Sequence, residues 1–461
     1  MVSVTLSKSL ITFPARVSLA AYLGLILTGT VLLKLPGSTP PEKPIGWTDS
    51  AFTATSAVCV TGLIVRSTEH DFTLQGQLIL LGLIQLGGIG IMTVTTFLMV
   101  SLSSNHSLWQ RQLVSETAGA ELRADLFSIL RHVFVVTLLC EAIGIGLLTF
   151  RNLWEWSLPH AFWHAVFHSI SAFCNAGFSL HDDSLSRYQL DPLVNFTIAG
   201  LVIVGGLGFP VLHDMHATWR RGWHGRDWWV HLRLHTKLML VGTAALLLLG
   251  MLAVLLLEWD GVLRGVPYAK RPLVAFFHSM SCRTAGFNTV DLSRMTATML
   301  LLSVVLMMIG AGPCSTGGGF KVSTVTVLFL HARSTFRGHR RLFAFHRWIP
   351  SETVNRAVAT AMLFAVLALA ALTALLSVEG LADSKTAATD QFLGVLFEVV
   401  SALGTVGLST GATPELTAGG RWVIIVLMLM GRLGPISVFT ALSGEADDRP
   451  IEYPQESPLI G

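Results

Sequence analysis

Eight stretches of this chain are apolar enough to ask for a bilayer as their solvent: 17–33, 74–100, 129–150, 193–212, 238–257, 299–309, 357–376 and 422–430. Several reach or exceed the ~20 residues that cross a bilayer, and the shorter ones adjoin Gly-rich extensions. Charge tells the same story. Asp, Glu, Lys and Arg supply 13% of the 461 residues, about half the usual share of a soluble chain. A cleavable leader is not expected, because Pro14 and Arg16 precede the first run and no small-residue cleavage site follows it. The net charge of +3 gives no sign of nucleic-acid binding. The five cysteines, Cys59, Cys140, Cys174, Cys282 and Cys314, are scattered without a Cys-x-x-Cys pair, so neither a zinc site nor a disulfide framework is expected from them.

Basic residues set the orientation. Arg111 and Arg123 lie in one stretch between apolar runs, Arg220, Arg221, Arg226, Arg233 and Lys237 in a second, and Arg333, Arg337, Arg340, Arg341, Arg347 and Arg356 in a third. The positive-inside rule puts all three on the cytoplasmic face. Other linkers are more acidic, with Glu69 and Asp71, Asp182 and Asp183, and Glu379, Asp383 and Asp390. Two crossings between successive cytoplasmic stretches predict eight spans in a cell membrane, with both termini inside.

Self-comparison reveals a fourfold repeat. Phe52, Phe167, Phe276 and Phe397 each precede a glycine by ten residues, namely Gly62, Gly177, Gly286 and Gly407, and a Ser/Thr/Ala-rich turn leads into each glycine. An apolar span lies on either side of every copy. The expected unit is an outer helix, a half-helix that enters the membrane and stops, a turn, and an inner helix. The expected boundaries are 1–110, 111–225, 226–345 and 346–445, followed by a cytoplasmic tail at 446–461. The fold class is therefore an all-α integral membrane protein with four tandem repeats around one pseudo-fourfold pore. A half-helix ending inside a membrane needs its carbonyls to face protein or a water-filled cavity, and its C-terminal partial charge favours a cation there. Four ordinary helix caps would also use glycine, but four copies in register, each flanked by spans, favour the pore.

The turns are the candidate ion site: Val60-Thr61-Gly62, Asn175-Ala176-Gly177, Thr284-Ala285-Gly286 and Thr405-Val406-Gly407. Thr405 to Leu408 resembles the T-V-G-Y core of potassium-channel filters, in which backbone carbonyls replace a hydration shell. Glycine permits backbone conformations that a Cβ obstructs. The inner helices carry Gly87-Gly88-Ile89-Gly90, Gly205-Gly206-Leu207-Gly208 and Gly431-Arg432-Leu433-Gly434, where small residues allow close helix approach or leave a gap. The third copy instead reads Gly310-Ala311-Gly312-Pro313-Cys314-Ser315-Thr316-Gly317-Gly318-Gly319. This composition cannot sustain a straight helix, which predicts an intramembrane loop, a candidate gate, with a second helix from about Lys321; a packing kink is the blander reading. Arg432 at mid-membrane costs ~2.5–3.5 kcal/mol on insertion scales, so it must face a cavity or a partner. It either binds the loop's carbonyls, places a positive barrier in the pore, or pairs with Glu141 or Glu398.

These motifs together, the four turns, Ser315 to Lys321 (S-T-G-G-G-F-K) and Gly431 to Pro435 (G-R-L-G-P), resemble the Trk/Ktr/HKT superfamily of potassium transporters over nearly the whole chain. The late start without an extra N-terminal helix pair, and the ending from Ile451 to Gly461, look most like the Ktr-type membrane subunit. The resemblance implies potassium as the transported ion, bound at the filter residues, with no organic cofactor. It also implies a homodimer with one pore per protomer and a KtrA-like cytosolic nucleotide-binding regulatory subunit on the basic face. Some sodium-favouring plant members have Ser where this chain has Gly62, which points to potassium; Cys59, Cys174 and Asn175 depart from the pattern and leave fine selectivity open. A sodium-selective or sodium-coupled transporter of the same superfamily is the nearest alternative. An inverted-repeat secondary transporter calls for two long antiparallel repeats rather than four short ones. An enzyme is disfavoured. His160, His164 and His168 have metal-compatible helical spacing but no matching His–Glu cluster, and Gly312, Gly317 and Lys321 only superficially echo a phosphate-binding loop.

Overall fold

The computed structural model describes residues 2–103, 124–339, 341–380 and 388–434. Arg111, Arg123, Arg340, Asp383, Pro435, the 110/111 boundary and the tail at 446–461 lie outside the described residues. Four times in succession a long helix is followed by a short one and then by another that leads away. The first set is α1 (Val2–Lys34), α2 (Trp47–Val58) and α3 (Leu74–Ser103). The second is α4 (Ala124–Asn152), α5 (Leu158–Phe173) and α6 (Pro192–Leu207), with α7 (Phe209–Arg220) and a short α8 (Gly225–His231) beyond it. The third is α9 (Leu234–Leu257), α10 (Arg271–Ser281) and α11 (Ala297–Met308), continued by α12 (Val322–Phe336). The fourth is α13 (Ser351–Val378), α14 (Ala388–Gly404) and α15 (Ala418–Leu433).

Among the described residues, four helices are long and apolar enough to cross a membrane, the ones that open the sets, at Arg16–Lys34, Val133–Asn152, Leu234–Leu257 and Ser351–Val378; α6 and α7 taken as one bent span would make a fifth. Their apolar side chains are largely outward, as Leu27, Leu139, Leu248 and Leu369 illustrate. The closing helices α6, α11 and α15 hold 16, 12 and 16 residues, roughly 18–24 Å at 1.5 Å per residue. That falls short of a ~30 Å hydrocarbon layer.

The helix starts are written in the sequence. Thr73, Asp191, Thr296 and Thr417 precede the closing helices and accept hydrogen bonds from Gly76 N, Leu193 and Val194 N, Met299 N and Gly420 N, satisfying first-turn donors that otherwise lack partners. Buried Glu258 in turn accepts from Thr296 N and Oγ1 at 2.8 and 2.7 Å. Pro at the start of α5 and α10 suits a first helical turn. The short helices are the centre of the molecule. Phe52, Phe167, Phe277 and Phe397 on them are fully buried.

Three features differ from the expectations. The third copy has slipped by one residue: its fully buried phenylalanine is Phe277, nine before Gly286, while Phe276 is only partly buried. The apolar run 193–212 is not one helix; α6 and α7 meet at 95°. Gly208 takes φ +92 there, Pro210 cannot donate to the preceding turn, and Phe209 N donates instead to Cys314 O at 3.1 Å. The fold is also not purely helical among the described residues. Strands β1 (Leu342–Ala344) and β2 (Arg347–Ile349) form an antiparallel hairpin in the third basic stretch. Phe343 opposite Trp348 is a favourable cross-strand pair, and Phe345 and His346 turn the chain at φ +49 and +63.

Candidate functional site

The short helices α2, α5, α10 and α14 end at four turns that share one backbone conformation. The first residue of each turn is left-handed, with φ +51 at Val60, +58 at Asn175, +61 at Thr284 and +49 at Thr405. The glycine two residues on is left-handed as well, at +93, +69, +76 and +89 for Gly62, Gly177, Gly286 and Gly407. Left-handed φ is strained for a residue with a Cβ, so four non-glycine cases at one position mark an imposed geometry. A serine in each helix holds it. Ser56 Oγ and Ser401 Oγ accept from Gly62 N and Gly407 N at 3.1 Å, while Ser171 Oγ donates to Phe178 O at 2.8 Å and Ser281 Oγ to Phe287 O. Thr61, Ala176 and Val406 N–H reach back five residues to Ser56, Ser171 and Ser401 O; Ala285 reaches back four, to Ser281 O. This absorbs the one-residue slip of the third copy.

The four turns close into a ring. A Cβ placed on Gly62 would strike Ala176 O; on Gly177 it would lie 3.0 Å from Ala285 O; on Gly286, 2.6 Å from Val406 O; and on Gly407 it would strike Thr61 O. Each glycine thus faces the carbonyl preceding the next glycine, and the fourth returns to the first. All twelve filter candidates surround this ring, and Thr61, Ala176, Thr284, Ala285, Thr405 and Val406 are fully buried. The half-helices end at these turns, so their C-terminal partial negative charge adds to that of the carbonyls.

The Gly-rich loop touches three of the four turns. Thr316 Oγ1 lies 3.2 Å from Asn175 Oδ1 and donates to Phe173 O at 3.1 Å. A Cβ on Gly317 would strike Thr284 Oγ1, and Gly318 N donates to Thr405 Oγ1 at 3.1 Å. Backbone bonds fix its ends: Gly310 N to Phe320 O at 2.9 Å, Gly312 N to Gly206 O at 2.8 Å, and Gly319 N to Gly431 O at 3.4 Å. Ala311 packs close to Gly206, Pro313 O lies over Gly208, and Ser315 Oγ donates to Gly312 O at 2.6 Å.

Arg432 is buried and donates through Nη1 to Thr316 O and through Nη2 to Gly87 O at 2.8 Å. The two acids weighed as its partners are engaged elsewhere. Glu141 accepts from Gln85 Nε2 at 2.9 Å, and Glu398 from Ser409 Oγ at 2.6 Å, Thr410 N and Thr413 Oγ1. A second cation, not among the expected gate residues, braces the same loop: Lys321 Nζ donates to Gly317 O at 2.8 Å and Gly318 O at 3.4 Å. Its signal was available, because Lys321 is the N-cap of α12, where the helix dipole disfavours a positive charge. The shared left-handed first residue of the turns had no such signal, since Val, Asn and Thr have no common preference for it.

The inner-helix glycines allow close approach to the half-helices rather than to each other. A Cβ on Gly87, Gly205 or Gly431 would strike Val58 O, Phe173 O or Leu403 O respectively.

A helical bundle with at least four membrane-length apolar helices among its described residues, around a buried ring of backbone carbonyls, has the make-up of a membrane transport protein. The TrkH family profile, described as a cation transport protein, matches residues 20–449, and the chain belongs to that family. It is 40% identical to the Ktr system potassium uptake protein B of Vibrio alginolyticus, over 97% of this chain and 94% of that protein. It is 36% identical to the protein of the same name from Bacillus subtilis (strain 168), over 97% of each. The crystal structure of the potassium transporter TrkH from Vibrio parahaemolyticus superimposes with a TM-score of 0.69 at 20% identity, covering 92% of this chain and 84% of that one; this likeness concerns the fold. The chain is accordingly a transporter and not an enzyme.

Proposed function

We propose that this protein takes up potassium across the cell membrane, the ion shedding its water onto the carbonyl ring formed by residues 60–62, 175–177, 284–286 and 405–407. The observation that carries this reading is the closed cycle of glycines, each against the next turn's carbonyl. Backbone oxygens in such a ring can replace a monovalent cation's hydration shell, and the helix C-termini supply a field of the right sign. The names of the relatives that cover nearly its whole length support potassium as the ion.

In this reading the four helix sets are four repeats around one pseudo-fourfold axis, at 1–110, 111–225, 226–345 and 346–445, giving eight spans with both termini and the three basic stretches cytoplasmic. The loop at 310–319 is the gate. Lys321 and Arg432 hold it shut by binding its carbonyls, and opening withdraws it from Asn175, Thr284 and Thr405. The protein works as a homodimer, one pore per protomer, with a KtrA-like nucleotide-binding subunit on the basic face. The test is uptake of potassium, rubidium and sodium into cells lacking their own potassium uptake, with and without such a subunit. Potassium and rubidium should enter in preference to sodium, faster with the partner. Sodium entry at equal rate, or potassium entry only with sodium present, would replace the reading by a sodium-selective or sodium-coupled one.

A further inference from the structure

We propose that His164, His168 and His181 form a binding site for a transition-metal dication of the zinc class, tying the second half-helix to the segment just past its filter turn. His164 and His168 stand one turn apart on α5, a spacing that presents two imidazoles on one face. The third comes from beyond the turn: His181, four residues after Gly177, replaces the sequence candidate His160, which is exposed. One ring nitrogen from each of the three lies within 4.8 Å of the other two. A tetrahedral zinc with bonds of about 2.0–2.1 Å gathers such nitrogens with small side-chain rotations. The rings lie close together, His181 being 5.0 Å from His164 and 5.2 Å from His168 by centroid.

Counting protons leaves one ring nitrogen's lone pair contested and another ring nitrogen without a partner. His168 Nδ1 sits 2.8 Å from His164 O; a carbonyl only accepts, so Nδ1 carries the hydrogen and Nε2 presents a lone pair. That lone pair faces Ser179 Oγ at 2.9 Å, whose single proton is also claimed by Ser184 O at 3.1 Å. His164 Nδ1 is buried with no partner. An imidazole donating to a backbone carbonyl through one nitrogen while offering the other is how ligating histidines are usually oriented. Arg187, near the cluster, opposes a cation, but it is paired with Glu155 at 3.4 Å and lies over the Trp156 ring. Trp156 in turn covers His164, 4.5 Å from its ring, which limits solvent on that side. Because His181 follows the turn of Asn175 to Gly177 so closely, a bound ion would stiffen one quarter of the ring.

The test is isothermal titration of the purified full-length protein with Zn²⁺ alone, together with X-ray absorption at the zinc edge. We expect one Zn²⁺ per chain, with imidazole nitrogens at about 2.0 Å. Removing one of three ligands in His181→Ala should cost more than the roughly 10–100-fold that outer-shell changes cost. His181→Asn keeps a polar side chain and serves where the alanine variant does not fold; it should lose binding equally. Ser179→Ala removes a competitor for His168 Nε2 and should bind at least as tightly as the wild type, and His160→Ala should bind normally. Folded His181→Asn protein that binds Zn²⁺ as the wild type does, or wild-type protein that binds none, would overturn the site.

Discussion

The four left-handed turns and the four Gly-rich stretches that lie within or follow the closing helices invert one another. The turns have four different sequences, VTG, NAG, TAG and TVG, yet take one backbone conformation, with left-handed residues at the first and third positions. Of the Gly-rich stretches, three have nearly one sequence, and their surroundings differ. Helix α3 runs unbroken through Gly87 to Gly90, α6 breaks at Gly208, α11 gives way to the loop after Met308, and α15 ends at Leu433. The ring explains the first case. Each turn must meet both neighbours, so any departure is felt twice, and the left-handed cost is overridden. The loop explains the second. It projects from one inner helix only, and its backbone and Arg432 bind carbonyls of the others at Gly87, Gly205, Gly206 and Gly431. A near-symmetric sequence thus yields an asymmetric interior because one element fills the space shared by four.

Breaking the symmetric region should have the largest effect. In Gly62→Ser, the new Cβ meets Ala176 O in a left-handed backbone. The conformational strain alone is roughly 1–2 kcal/mol, and every 1.4 kcal/mol is a factor of ten, so potassium-over-sodium preference should fall about tenfold or more. Competition uptake measures it, and unchanged discrimination would remove Gly62 from the ion site.

The asymmetric region should respond in the opposite sense. Arg432→Ala removes two hydrogen bonds from a charged donor, one of them to the loop; such bonds contribute ~1.5–3 kcal/mol each. Uptake per folded molecule should rise about tenfold, with apparent potassium affinity little changed. Arg432→Lys should fall between, since it keeps the charge without the planar fork. Counting folded protein alongside flux decides the matter: less folded protein with unaltered flux per molecule makes Arg432 a structural residue and not a latch.

The smallest effect sharpens the comparison within one helix. Gly205→Ala drives a Cβ into Phe173 O beside Thr316, whereas Gly200→Ala meets nothing within 4 Å. The first should lose about 1–3 kcal/mol of stability and the second stay within about 0.5 kcal/mol, as thermal unfolding in detergent reports. Equal losses would deny the inner-helix glycine its close approach to the half-helix.

The same contrast separates the legible features from the hidden ones. The four glycines, the flanking apolar helices and the break after Met308 could be read because composition and spacing carry them. The one-residue slip at Phe277 could not, since two adjacent phenylalanines satisfy the repeat equally and only burial separates them. The break at Gly208 was hidden because Gly205 to Gly208 reads like Gly87 to Gly90; what differs is the Cys314 carbonyl awaiting Phe209 N–H, a contact from a segment distant in sequence. The hairpin at Leu342–Ile349 was hidden by its basic residues, which say which side of a membrane but not which secondary structure. Arg432 was visible as an oddity in a glycine position, but its partners, two backbone carbonyls, leave no trace in a sequence.

The central claim is that an ion sits within the ring of Thr61, Ala176, Ala285 and Val406 carbonyls. Anomalous scattering from crystals of the protein grown in rubidium salt tests it most directly. A rubidium peak on the axis within this ring, absent from Gly62→Ser crystals, is the predicted result. Ordered rubidium bound elsewhere in the protein, with none in the ring, would contradict the account.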